Sequence, residues 1–151
     1  MQLITNEPMG KVVTRLIITN RIDQANAEDG LVSAEQVRSV TIDDVLVDTG
    51  ATTLCLPQEI ITQLGLKLLK KVVIQTAVGV SEARVFRDAS VSLLGREGTF
   101  ECLELPPGSS ALLGVIPLEA LGIEIDLQNQ TLKVLPDGPK ETYLTVMKLE
   151  N

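Results

Sequence analysis

The sequence predicts a mostly β domain, closed or partly closed into a small barrel and carrying two short helices. Branched aliphatic residues dominate a chain that is 44% hydrophobic but only 2% aromatic, a bias that suits pleated sheet. Apolar runs of strand length recur between Gly, Pro, Asn and Asp punctuation along almost its whole length. Only two segments carry clear helix start and stop signals.

The first strand is GKVVTRLIITN, from Gly10 to Asn20, and the polar stretch Asp23 to Gly30 follows as a loop inserted between strands. From Val37 to Val47 the text alternates and then turns wholly apolar, as a strand does on entering a core, and it stops at Asp48-Thr49-Gly50. A strand over Thr52 to Leu56 leads to Pro57, which opens a helix ended by Gly65. Two longer β-runs, Leu68 to Ala77 and Ala83 to Gly95, are joined by VGVSE as a hairpin with Gly79 near its tip. After a turn at Arg96 to Gly98 comes the strand TFECLEL. The loop PPGSS then leads through Ala111 to Gly114 into a helix opened by Pro117 and ended by Gly122. The tail alternates IEIDL, TLKVL and ETYLTVMKL, three further strands separated by turns. The reading is one domain over residues 1–151, with a core of about 10–135 and an extra strand over 140–149.

Charge and composition exclude several classes of function. Thirteen basic against twenty acidic residues leave a formal charge of −7, and no Lys/Arg track runs along a face that could neutralise a phosphate backbone, so no nucleic-acid partner is expected. No apolar run approaches the roughly 20 residues that cross a bilayer. The first ten residues lack a charged-then-apolar leader, and the expectation is a cytoplasmic protein without a membrane partner. The absence of histidine removes the usual zinc sites, Ser-His-Asp triads and Cys-His dyads together. No metal or cofactor is expected. Cys55 and Cys102 lie far apart in apolar text, which suits buried free thiols.

The chemistry that remains falls to carboxylates, hydroxyls, lysines and thiols. In VLVDTGATTLCLP an ionisable Asp48 appears abruptly at the end of an apolar strand, followed by small residues that leave backbone N–H groups free to approach it. A carboxylate beside a core strand costs several kcal/mol, of order 1–3 or more, unless it is hydrogen-bonded or shares a proton. Asp-Thr-Gly is also good turn chemistry, and the triplet by itself reads equally well as a turn.

The context makes the sequence similar to the retropepsin family, the retroviral-type aspartic proteases and their single-domain bacterial relatives. An apolar strand runs into Asp48-Thr49-Gly50-Ala51; TTLCLP and a segment ending in Leu64-Gly65-Leu66 follow; a hairpin comes next; and Leu112-Leu113-Gly114 stands ahead of a short helix. The resemblance implies the small closed β-barrel of the acid-protease type, with Asp48 as the catalytic carboxylate. It implies that Thr49 locks two such loops together and that Gly50 lets a peptide backbone approach. Ala51 and Thr52 would border the first substrate pockets. The hairpin Thr76 to Glu82, with Val78, Gly79 and Val80 at its tip, would close as a flap over an extended polypeptide substrate. Leu112, Leu113 and Gly114 would support the catalytic loop, and Val115 and Ile116 would line apolar pockets. Many retroviral members pair an Asp after the first motif with an Arg after the second; here those positions hold Thr52 and Val115, so the terminal strands become the candidates for holding a dimer.

Peptide hydrolysis without metal or covalent nucleophile needs an acid and a base in the same step. Two carboxyls about 3 Å apart repel by roughly 5 kcal/mol at an effective dielectric near 20, so such a pair keeps one proton and supplies both roles. The chain holds a single Asp-Thr-Gly and no Asp-Ser-Gly, which calls for a homodimer. Two readings of different class follow: a homodimeric aspartic endopeptidase, or a catalytically silent barrel that binds peptide or dimerises and keeps the triplet as a turn.

Overall fold

The computed structural model describes residues 11–136. The reading of a strand over 140–149, and that of terminal strands holding a dimer, lie wholly or partly outside these residues. Among the described residues the fold is mostly β, as expected. Seven strands form one sheet: β1 (Val12–Asn20), β2 (Ser39–Val47), β3 (Leu54–Pro57), β4 (Lys67–Thr76), β5 (Gly79–Leu93), β6 (Arg96–Leu105) and β7 (Leu112–Leu113). Their order is β1-β2-β7-β3-β6-β5-β4, and β1 pairs also with β5. A separate two-stranded sheet joins β8 (Ile123–Asp126) to β9 (Thr131–Val134).

Alternation places the core. Val12, Leu16 and Ile18 on β1, Val45 and Val47 on β2, and Val91 and Leu93 on β5 are all buried, each set at period-two spacing as a one-sided sheet demands. Leu54, Leu56, Leu113 and Leu121 complete a cluster built almost entirely of aliphatics, with Phe86 at its margin. Three short helices bracket it: α1 (Arg21–Glu28), α2 (Gln58–Leu64) and α3 (Val115–Leu121). Helices α2 and α3 end as the sequence reading expects, on Gly65 and Gly122 in the left-handed region at φ 65° and 68°. None of the described helices is long and apolar enough to cross a membrane.

Three local readings are corrected. The segment Asp23 to Gly30 is not a loop: α1 covers most of it and buries no residue. It is held by polar ties in place of an apolar stripe. Asn20 Oδ1 accepts from the Asp23 N–H at 3.0 Å, and the Asp23 carboxylate accepts from the Arg38 backbone and guanidinium at 2.8–3.0 Å. Helix α3 is capped by Gly114 and begins at Val115, two residues before the expected Pro117. Pro117 sits in the first turn, where its missing N–H has no intrahelical partner to lose. Arg96, read as part of a turn, begins β6; its buried guanidinium donates to the carbonyls of Leu121 and Leu135 and fastens the end of α3 and the chain after β9 to the sheet.

Candidate active site

Strand β7 is only two residues long, but it positions the site. It pairs parallel to β2 through Leu46↔Leu112 and Val47↔Leu113, and antiparallel to β3 through Leu54↔Leu113 and Cys55↔Leu112. The link from β2 to β3, residues 48–53, must therefore arch over the end of β7. The Asp48 N–H donates to the Leu113 carbonyl at 3.0 Å, and the N–H groups of Val115 and Ile116 donate to the carbonyls of Ala51 and Thr52 at 3.0 and 2.9 Å. These bonds fix the backbone of the loop without any charged side chain, where Thr52 and Val115 replace the ion-pairing residues of many retroviral members.

Gly114 lets the two segments meet. A Cβ there would lie 2.5 Å from the Thr53 carbonyl oxygen, 2.6 Å from that of Ala51 and 2.7 Å from the Thr53 nitrogen. All three are backbone atoms that cannot swing aside. With Leu113 fully buried and Leu112 half-buried beneath the loop, the triplet Leu112-Leu113-Gly114 stands where a supporting element is expected.

Asp48 lies half-buried at the end of β2, and Thr49 and Gly50 after it are exposed. The turn is closed by the Ala51 N–H donating to the Asp48 carbonyl at 3.0 Å. Asp48 Oδ1 accepts from the Gly50 N–H at 2.8 Å, which orients the carboxylate against its own loop. A Cβ on Gly50 would lie 3.1 Å from that same oxygen. Burial pushes the nearby Cys55 thiol up to about 11, with the Asp48 charge adding to the effect.

Beside the loop opens a cavity of about 870 Å³, a volume suited to small-molecule or side-chain binding. Gly50, Ala51, Thr52 and Ile116 line its loop side, and Val72, Ile74 and Leu103 are among its apolar walls. The structure thus brings Ala51, Thr52 and Ile116 to one cleft. Val115, on the first turn of α3, does not line it, and neither do Val78, Gly79 and Val80, which stand exposed at the far end of the hairpin. That hairpin turns tightly at Ala77 and Val78 between the pair Thr76↔Gly79. Thr76 Oγ1 donates to the Gly79 carbonyl at 2.9 Å, and Gly79 adopts φ 130°. The sequence reading missed Cys55, Val72, Ile74, Leu103 and Leu105 as cavity walls. Their signal was parity within β3, β4 and β6, legible only once the pairing registers are known.

The sequence match to a protein family places the chain in the aspartyl-protease class. A model of the family described as "gag-polyprotein putative aspartyl protease" matches residues 36–120, more than half of the chain, and the chain belongs to that family. Among solved structures, the EIAV protease complexed with the inhibitor HBY-793 is similar at 20% sequence identity. That match covers 82% of this chain and 99% of that one, with a TM-score of 0.49. No curated protein matches the sequence.

Proposed function

We propose that the chain is one subunit of a homodimeric aspartic endopeptidase in which Asp48 and the same residue of a second copy share a proton and activate water. The observation that carries this reading is the seating of Asp48: a carboxylate at the exposed end of a core strand, held by the Gly50 N–H and by a backbone locked over Gly114, beside an apolar cleft. The Gly50 bond by itself suits any Asp-containing turn; the backbone lock over Gly114 and the adjoining cleft are what favour the catalytic reading. The exposure of Thr49 and Gly50 leaves the loop free to meet its copy across a two-fold axis, with Thr49 as the lock and Gly50 beside the substrate backbone.

Once paired, one carboxyl stays protonated and hydrogen-bonds the scissile carbonyl, while the other takes a proton from water as it attacks. The substrate is an extended polypeptide whose apolar side chain near the cut enters the cleft walled by Ala51, Val72, Ile74 and Ile116. The hairpin of β4 and β5 covers it as a flap. The cycle of pairings β1-β2-β7-β3-β6-β5, returning to β1, supports a closed barrel as the scaffold, and residues 1–151 are read as a single domain.

Asp48→Asn tests the reading. Assayed on an unstructured protein at mildly acid pH, the parent should cleave and be blocked by a statine-type inhibitor, and the variant should keep its fold and assembly but lose cleavage. Undiminished cleavage by the variant would remove Asp48 from the chemistry. A parent that binds peptide without cutting it would favour the silent module.

A further inference from the structure

The hairpin leaves the sheet at a defined level. From Lys71↔Arg84 to Thr76↔Gly79, β4 and β5 pair only with each other among the described residues; β5 first joins β6 at Val85↔Leu103. At that level one ion pair runs from each hairpin strand to β6. On β5, Arg84 Nε and Nη2 donate to the two carboxylate oxygens of Glu104 at 2.8 and 2.7 Å, with the guanidinium 5.2 Å from the Phe86 ring centroid. On β4, Lys70 Nζ stands 3.8 Å from Glu101 Oε1.

The two pairs lie on opposite faces. Directly paired residues share a face and neighbours in a strand alternate, so Lys70, Val85, Leu103 and Glu101 stand on the cleft side and Arg84 and Glu104 on the other. Their strengths differ as well. Lys70 and Glu101 are both about half exposed and meet at one atom pair, whereas the Glu104 side chain is only 14% exposed and is gripped in bidentate fashion. The second geometry is the one that holds a direction as well as a distance.

We propose that Arg84 and Glu104 are positioning residues of the peptidase, forming the hinge clasp that aims the β4–β5 hairpin over the cleft. This rests on reading that hairpin as the flap. The clasp sits one residue beyond the last support that β6 gives β5, so it governs the angle at which six residues of each strand project, without contacting substrate. Its loss should weaken substrate capture and leave the chemistry at Asp48 intact.

Two measurements on Glu104→Gln and Arg84→Gln test this. Backbone amide exchange, followed in an Asp48→Asn background so that catalysis plays no part, should speed up by about three- to fivefold over residues 73–82 and stay unchanged in β1 and the rest of β6. In the otherwise native enzyme KM should rise by the same three- to fivefold, about what an ion pair of this exposure supplies, with kcat altered less than about twofold. The charge-reversed pair Arg84→Glu/Glu104→Arg should restore both. Hairpin exchange or KM staying at the parent's value overturns the proposal. So does acceleration spreading along β6 with a fall in kcat, or a charge-reversed pair that restores neither, because each marks ordinary support of the fold. Should the parent fail to cleave any peptide, the peptidase reading falls, and the exchange measurement still decides whether the clasp sets the hairpin.

Discussion

At the scale of single residues, Gly114 states the most local demand of the fold. Its backbone is extended, at φ −94° and ψ −168°, so the constraint comes from close approach and has nothing to do with glycine's access to left-handed conformations. Gly114→Ala forces the loop and the start of α3 apart, and we expect a loss of about 3 kcal/mol or more, measured as a lowered urea midpoint with unchanged slope. A variant as stable as the parent would mean that the loop is not locked there. The thiols give a second expectation. Burial raises Cys102 further than Cys55, so a thiolate-specific reagent at pH 7–8 should leave both untouched in the native chain and react with both on unfolding. This scale was also the most legible in sequence. Asp48 stands out in sequence as a carboxylate ending an apolar strand, and the glycines closing α2 and α3 as local stop signals, whereas Gly114 is marked only by the family resemblance, because the atoms it must clear, on Ala51 and Thr53, lie some sixty residues away. The cleft walls carry no mark, since Cys55, Val72 and Leu103 look like any other core aliphatic positions until the register assigns them a face.

At the scale of elements, α1 shows why the boundary between loop and helix was misread. A helix that buries no residue leaves no apolar period to detect. The signal that did exist was Asn20 followed three residues later by Asp23, an N-cap with an acid in the first turn, and Gly30 beyond the end. Asn20 does more than cap. It is 3% exposed, and its amide donates to the carbonyls of Leu64 and Gly65 at 2.9 and 3.3 Å, binding the start of α1 to the end of α2. Asn20→Ala removes the cap and strips partners from buried carbonyls, with an expected cost of about 2–3 kcal/mol in denaturant titrations. Asp23 carries the pH dependence of the same tie. The Arg38 side chain, hydrogen-bonded to it, holds its carboxyl below the usual carboxylate value. A folded value below the unfolded one, about 3.9, means that the contribution is complete above that pH and is lost as pH falls through the folded value. Asp23→Asn should therefore destabilise most at neutral pH and converge on the parent in strong acid, as read by urea midpoints across the range. A constant difference would separate Asp23 from the titration.

At the scale of the whole molecule, composition and the punctuated apolar runs point to a mostly β chain, but the order of strands was not legible. The pairings that build the site, β2 to β7 and β3 to β6, join segments 66 and 48 residues apart, and no local preference encodes such contacts. Parallel pairing there also explains why a two-residue strand can organise the site: it is wedged between two strands that the loop itself connects. The loop is finished on its inner side by backbone bonds and left exposed on its outer side at Thr49 and Gly50, which is compatible with the pairing of two copies proposed above.

The most direct test of shared catalysis is subunit mixing. Parent chain is equilibrated with an equal amount of Asp48→Asn under conditions where subunits exchange, and cleavage is measured per parent chain. If each site needs one Asp48 from each of two chains, random pairing leaves about half of the parent's activity, and an excess of the variant drives it toward zero. Activity per parent chain that is indifferent to the variant at every ratio would mean that one chain suffices, and the paired-carboxyl account would be wrong.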